Sequence, residues 1–111
     1  MNVTSERSGE VVIVHAGPPR LMYPSLSEFS TSASGVIASG ARKVVIDLSK
    51  VEYLDSAAIG CLMDLYRQAA NAGATLKLAG VQRRVETMLT LVGANQFMEM
   101  YPDAAAAVES F

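Results

Sequence analysis

With 111 residues, half of them hydrophobic, and a formal net charge of −2, the chain is long enough for a single core and no more. The slight acidity offers no basic footprint for nucleic acid. One cysteine excludes an intramolecular disulfide, a lone cysteine with a lone histidine cannot build a zinc site unaided, and no metal site is expected.

No apolar run approaches the ~20 residues of a membrane span, and the start lacks the basic-then-apolar pattern of a signal peptide. A cytoplasmic protein without membrane insertion is therefore expected. Met1 to Ser8 is polar and is expected to be a flexible start, leaving residues 9–111 as one folded domain. Glu10 to Ala16 reads as a strand with two apolar faces, and His15 near its end suits either a functional base or a structural role. Gly17-Pro18-Pro19 is a turn, because neither proline can donate to a sheet ladder. Leu21 to Tyr23 suggests a short second strand. Ser25, three residues ahead of Glu28, fits a capping box opening a helix to about Ser39, where Leu26, Phe29, Ala33, Val36 and Ile37 keep helical spacing. Gly40 ends it.

Val44 to Leu48 is an apolar, β-branched run, as in a strand buried on both faces. Val51 to Leu54 continue as an extended or irregular link. Asp55 then caps a long helix whose first residue is Ser56. Counted at about 100° per residue, Ala58, Leu62, Leu65 and Ala69 share one face, with Cys61 and Ala72 at its border. Ser56, Gly60, Met63 and Arg67 lie nearly opposite. Gly60 costs a helix interior roughly 1 kcal/mol relative to Ala; either a partner's backbone comes close there, or a neighbouring loop crowds it. Asn71-Ala72-Gly73 stops the helix. Thr75 to Ala79 is the next strand, parallel to its predecessor across a right-handed crossover. A helix over Gln82 to Val92 turns Val85, Met88, Leu89 and Val92 inward; Phe97 to Tyr101 is an edge strand, and a last helix runs from Pro102-Asp103 to Phe111. The alternation of strands and helices argues an α/β layer fold with a mixed, mostly parallel sheet of four to five strands and three to four helices.

No catalytic constellation emerges, so the chain is read as non-enzymatic and without a cofactor. A serine hydrolase needs a histidine and an acid around its nucleophile, and a Gly-x-Ser-x-Gly elbow is absent near Ser56. No glycine-rich phosphate loop occurs. Cys61 on the packed side suits core filling better than nucleophilic chemistry. Arg83 and Arg84 meet an acidic partner or form a solvated helix face. Asp55 beside Ser56 is explained as a cap, and Ser56 itself, on spacing alone, as a second capping residue or an exposed functional hydroxyl.

From Asp47 to Gly60 the chain reads Asp-Leu-Ser-x-Val-x-Tyr-Leu-Asp-Ser-Ala-x-Ile-Gly. This segment resembles the signature of STAS domains, the anti-sigma factor antagonist family, and a more diffuse resemblance covers residues 9–111. It implies a single-domain STAS-like fold. In that family the serine after the second aspartate of the motif is phosphorylated by a partner kinase, and the matching residue is Ser56. The resemblance implies an anti-sigma factor/serine kinase as partner, with a PP2C-type phosphatase reversing the mark. Asp55, Ser56, Gly60, Met63 and Arg67 are then the expected partner-binding surface. A phosphate adds roughly −1.5 to −2 charges and three acceptor oxygens, which a desolvated interface cannot accommodate. The chain departs from the family pattern at Ala58, where glycine is common, and at Gly17-Pro18-Pro19-Arg20, where acidic residues are common. The alternative is a STAS subunit of a signalling scaffold or a sulfate-type transporter system in which Ser56 is never modified.

Overall fold

The computed structural model describes residues 3–17 and 19–111. Its five-stranded sheet has the spatial order β1 (Val3–Ser8), β2 (Val11–Ala16), β4 (Lys43–Asp47), β6 (Thr75–Ala79), β7 (Met100–Tyr101). A separate two-stranded ladder joins β3 (Arg20–Leu21) to β5 (Tyr53–Leu54). β1 runs antiparallel to β2, and every other pairing in the larger sheet is parallel. The expected mixed, mostly parallel sheet is thus present, with α1 (Ser25–Ala38), α2 (Ser56–Asn71), α3 (Arg83–Leu91) and α4 (Ala104–Glu109) completing the layers.

From β2 onward the sheet always grows in one direction, so right-handed crossovers place α1, α2 and α3 on the same face. The main core lies there: Val14, Val44, Ile46 and Leu78 point at Phe29 and Ile37 of α1, Leu62 and Leu65 of α2, and Val85 and Leu89 of α3. On the other face Ile13, Val45 and Ala79 meet Ala107 of α4, with Val108 and Phe111 half-buried beside them. The period of two in a strand therefore sends alternate β4 residues into two different apolar layers. That is why Val44, Val45 and Ile46 follow one another without polar alternation. Leu65 is fully buried, as the facing of α2 requires. Leu65→Ala should cost about 2–5 kcal/mol, seen as a lower denaturant midpoint at an unchanged slope; an unmoved midpoint would place Leu65 outside the core.

α4 is only six residues long, too short to persist alone. Asp103 caps it through Ala106 N–H at 2.8 Å. Lys77, buried in β6, reaches beneath its far end: Nζ donates to Ser110 Oγ at 2.7 Å and to the Ser110 carbonyl at 3.2 Å. The ammonium also lies 4.3 Å from the Phe111 ring centroid and 5.3 Å from that of Tyr101. Glu99, 3.2 Å away, answers its charge, and the bonds from Tyr101 and Lys77 lower the Glu99 pKa.

Several expectations are corrected. The start of the chain is strand from Val3, not a frayed tail; Met1 and Asn2 lie outside the described residues. Val3 is buried, and Gly9, at φ 61°, gives the two-residue hairpin loop its positive φ, so β2 acquires an antiparallel edge partner. The turn read at Gly17-Pro18-Pro19 includes Pro18, also outside the described residues; the Pro19 carbonyl accepts from Glu52 N–H at 2.6 Å and Tyr53 N–H at 3.1 Å. That docking makes the expected irregular link into β5, and it limits the second strand to Arg20–Leu21. The capping box at Ser25 does not form, because Ser25 already lies within α1 and the helix is entered from Pro24. Val92 is half exposed rather than inward, since α3 stops at Leu91 and Gly93, at φ 79°, reverses the chain. Ala94–Gln96 then form a 3-10 turn, leaving only Met100–Tyr101 to pair with β6.

Candidate functional site

β2, β4 and β6 are parallel and end on one edge of the sheet, and the motif segment is built on that edge. β4 ends at Asp47, whose Oδ1 accepts Ser49 N–H at 2.9 Å, while Val51 N–H donates to the Leu48 carbonyl at 2.9 Å. This turn sends the chain into β5. Asp55 follows with extended φ/ψ, and its Oδ1 accepts Ala58 N–H at 2.8 Å, the N-cap expected from sequence. Ser56 is the first residue of α2 and is exposed.

The four residues expected to anchor α2, Ala58, Leu62, Leu65 and Ala69, are all buried. The opposite stripe is less uniform. Ser56, Gly60 and Arg67 are exposed, but Met63 is half-buried against the rim of the main core, on the flank shared by Ile59 and Tyr66. The core accounts for part of this methionine, contrary to the expectation that it does not. Arg67 already meets Asp64 at 2.7 Å on its own helix. Gly60 is the informative member. A Cβ built on it meets nothing within 4 Å, so crowding inside the chain does not explain the glycine.

Two further side chains reach this edge. Leu21 pairs with Leu54 in a parallel ladder, so Tyr23 and Ser56, each two residues further on, leave the ladder at the same end. Tyr23 is 81% exposed, unusual for so large a ring. Arg20 stands 5.6 Å from the Tyr53 ring centroid. Sequence reasoning missed Tyr23 because it placed the ring inside a strand; Pro24 directly after it was the available signal that the strand had already ended.

The other candidates separate from this edge surface or are explained by the fold. Burial pushes the Cys61 thiol up, only partly offset by a hydrogen bond with Ser30 of α1, which leaves the sulfur a packing group. Arg83 and Arg84 are exposed at the start of α3. Among the described residues no cluster of His, Cys, Asp or Glu is placed to hold a metal ion, and no helix is long and apolar enough to cross a membrane.

The α/β layer thus displays the Ser56 hydroxyl at the tip of a core-anchored helix. The chain belongs to the STAS domain family, whose model matches residues 2–107. A candidate anti-sigma factor antagonist of Thermotoga neapolitana is 26% identical over 70 residues, 63% of this chain and 62% of the relative's length. An anti-sigma factor antagonist from Mycobacterium paratuberculosis superposes with a TM-score of 0.87 at 19% identity, over 97% of this chain and 91% of that one. The Bacillus cell fate determinant SpoIIAA in its phosphorylated form gives 0.76 at 15% identity, over 97% of both chains. At these identities the two structures speak for the fold.

Proposed function

We propose that this protein is an anti-sigma factor antagonist that binds an anti-sigma factor/serine kinase through the exposed edge of α2 and is released by phosphorylation of Ser56. A PP2C-type phosphatase would restore the binding form. The family membership favours this reading, and so does the description of the Thermotoga relative. Gly60 carries it: a mid-helix glycine costs stability, and no neighbour in this chain uses the missing side chain. A partner's backbone seated against α2 uses it. Ser56 lies one turn before Gly60, Arg67 two turns after, and Tyr23 stands across the ladder as an aromatic anchor of the kind that dominates interfaces. The turn from Asp47 leads through β5 to Asp55, whose cap on Ala58 N–H fixes the start of α2 and with it Ser56.

Two substitutions at Gly60 test the proposal. Gly60→Ala should stabilise the free protein by about 0.5–1 kcal/mol, because the added methyl meets open space and helix propensity improves. Gly60→Arg should also fold but block the partner by bulk. Calorimetry of each with the purified anti-sigma factor, beside circular dichroism, reads both effects. Full-strength binding by folded Gly60→Arg would move the interface off this helix.

A further inference from the structure

His15 is the only histidine in the chain, and it stands on β2 between acids from both neighbouring strands. The register sets it opposite Thr4 on β1 and Asp47 on β4, with Glu6 diagonal to it on the same face. Nδ1 lies 2.7 Å from Asp47 Oδ2, and Nε2 lies 2.7 Å from Glu6 Oε1. A neutral imidazole has one N–H and can donate to one of these oxygens only; its other nitrogen would face a carboxylate lone pair to lone pair. The imidazolium satisfies both.

The two carboxylates are not equivalent. The Asp47 side chain is 12% exposed, and its second oxygen already accepts Ser49 N–H in the motif turn. The Glu6 side chain is 61% exposed, so water can replace histidine there. We propose that His15 is a proton-operated latch: protonated, it ties edge strand β1 through Glu6 to the Asp47–Ser49 turn, and on losing its proton it keeps Asp47 and releases Glu6. Lys50 lines the same cleft, with Thr4, Ala16 and Ser49, and its positive charge opposes a second cation there. Burial, the largest single influence, also lowers the histidine's pKa. The bonds to Glu6 and Asp47 and their charges together outweigh it, leaving the value above 6.5. The tie is therefore complete below about pH 6.5 and is lost as pH rises through the raised value.

The latch does not depend on what α2 binds, and its test uses the free, full chain. The His15 ring protons are titrated by NMR between about pH 5.5 and 8.5, with amide exchange followed across β1. In wild type, His15 should titrate above 6.5, and β1 exchange, corrected for its intrinsic pH dependence, should speed about two- to fivefold across that titration, the range an exposed ion pair supports. Ser49 N–H should keep its protection at both ends. In Glu6→Gln, a change at an exposed side chain that leaves the fold intact, His15 should titrate lower and the β1 step should vanish. A wild-type His15 titrating at or below 6.5 would overturn the latch. So would a β1 step that survives Glu6→Gln, or a step carried by Ser49 while β1 stays still.

Discussion

Phosphorylation of Ser56 should weaken binding of the anti-sigma factor at least about 30-fold, the equivalent of roughly 2 kcal/mol. The unmodified hydroxyl is small, neutral and exposed at the first residue of α2. A phosphate brings roughly −1.5 to −2 charges beside the half-buried Asp55 carboxylate, and docking would have to strip water from both. Like charges pressed together in an interface cost several kcal/mol. Helix N–H groups make the mark tolerable in the free protein, but they cannot neutralise it under a partner. Ser56→Asp carries a single charge and should fall between the two states. Intact-mass measurement after incubation with kinase and ATP should show one added phosphate, absent from Ser56→Ala, and calorimetry should show the affinity loss. A mass rise that persists in Ser56→Ala, or full-strength binding by the phosphorylated protein, would remove Ser56 from the mechanism.

Gly80→Ala should destabilise the fold by about 3 kcal/mol, the opposite sign from the same change at Gly60. Gly80 follows β6 with φ +67°, where a residue bearing a Cβ loses roughly 1–2 kcal/mol. The new atom would also stand 2.8 Å from Ser49 Cβ, 3.1 Å from Ser49 Cα and 3.0 Å from Asp47 Oδ1. Two of those three neighbours belong to Ser49, whose amide is held by Asp47 and whose carbonyl accepts from the Gln82 side chain at 3.0 Å. The turn cannot yield without giving up those bonds, and overpacking of this kind adds roughly 1–3 kcal/mol. Urea titration of the two alanine variants side by side gives the contrast. A Gly80→Ala midpoint equal to wild type would mean that the Asp47–Ser49 turn is looser than its hydrogen bonds indicate.

Local signals carried much of the architecture. The apolar Val44-Val45-Ile46 run announced a strand between two apolar layers, and the spacing of Ala58, Leu62, Leu65 and Ala69 picked out the packed face of α2 because a helix of that length samples its period four times. Asp55 announced its own cap. The misses share a physical cause: they depend on partners distant in sequence. β1 looks like a tail because Thr4 to Ser8 is polar, and its strand character comes from pairing with β2, which no propensity encodes. β5 exists because the Pro19 carbonyl collects two amides from across the fold. Met63 was placed by its angle on one helix, whereas its burial depends on the flank it shares with Tyr66, whose ring faces Phe97 at 6.4 Å. For the candidate site, the motif pointed to Ser56 and Gly60. Tyr23 became visible only once the Leu21–Leu54 pairing was known.

Ser56 is displayed by a helix whose very first turn is already pinned, at Ala58 by the core and at Asp55 by its own cap. A phosphate at Ser56, as proposed, would find no slack in that turn to move, and would change what the surface offers rather than how the chain is folded. Such a mark would carry no hysteresis. The blocked form would return to the binding-competent one as fast as the phosphoester is cleaved, with no conformational relaxation to wait for, and repeated cycles would leave no trace in the protein. The timing of the response would then belong wholly to the enzymes that add and remove the group.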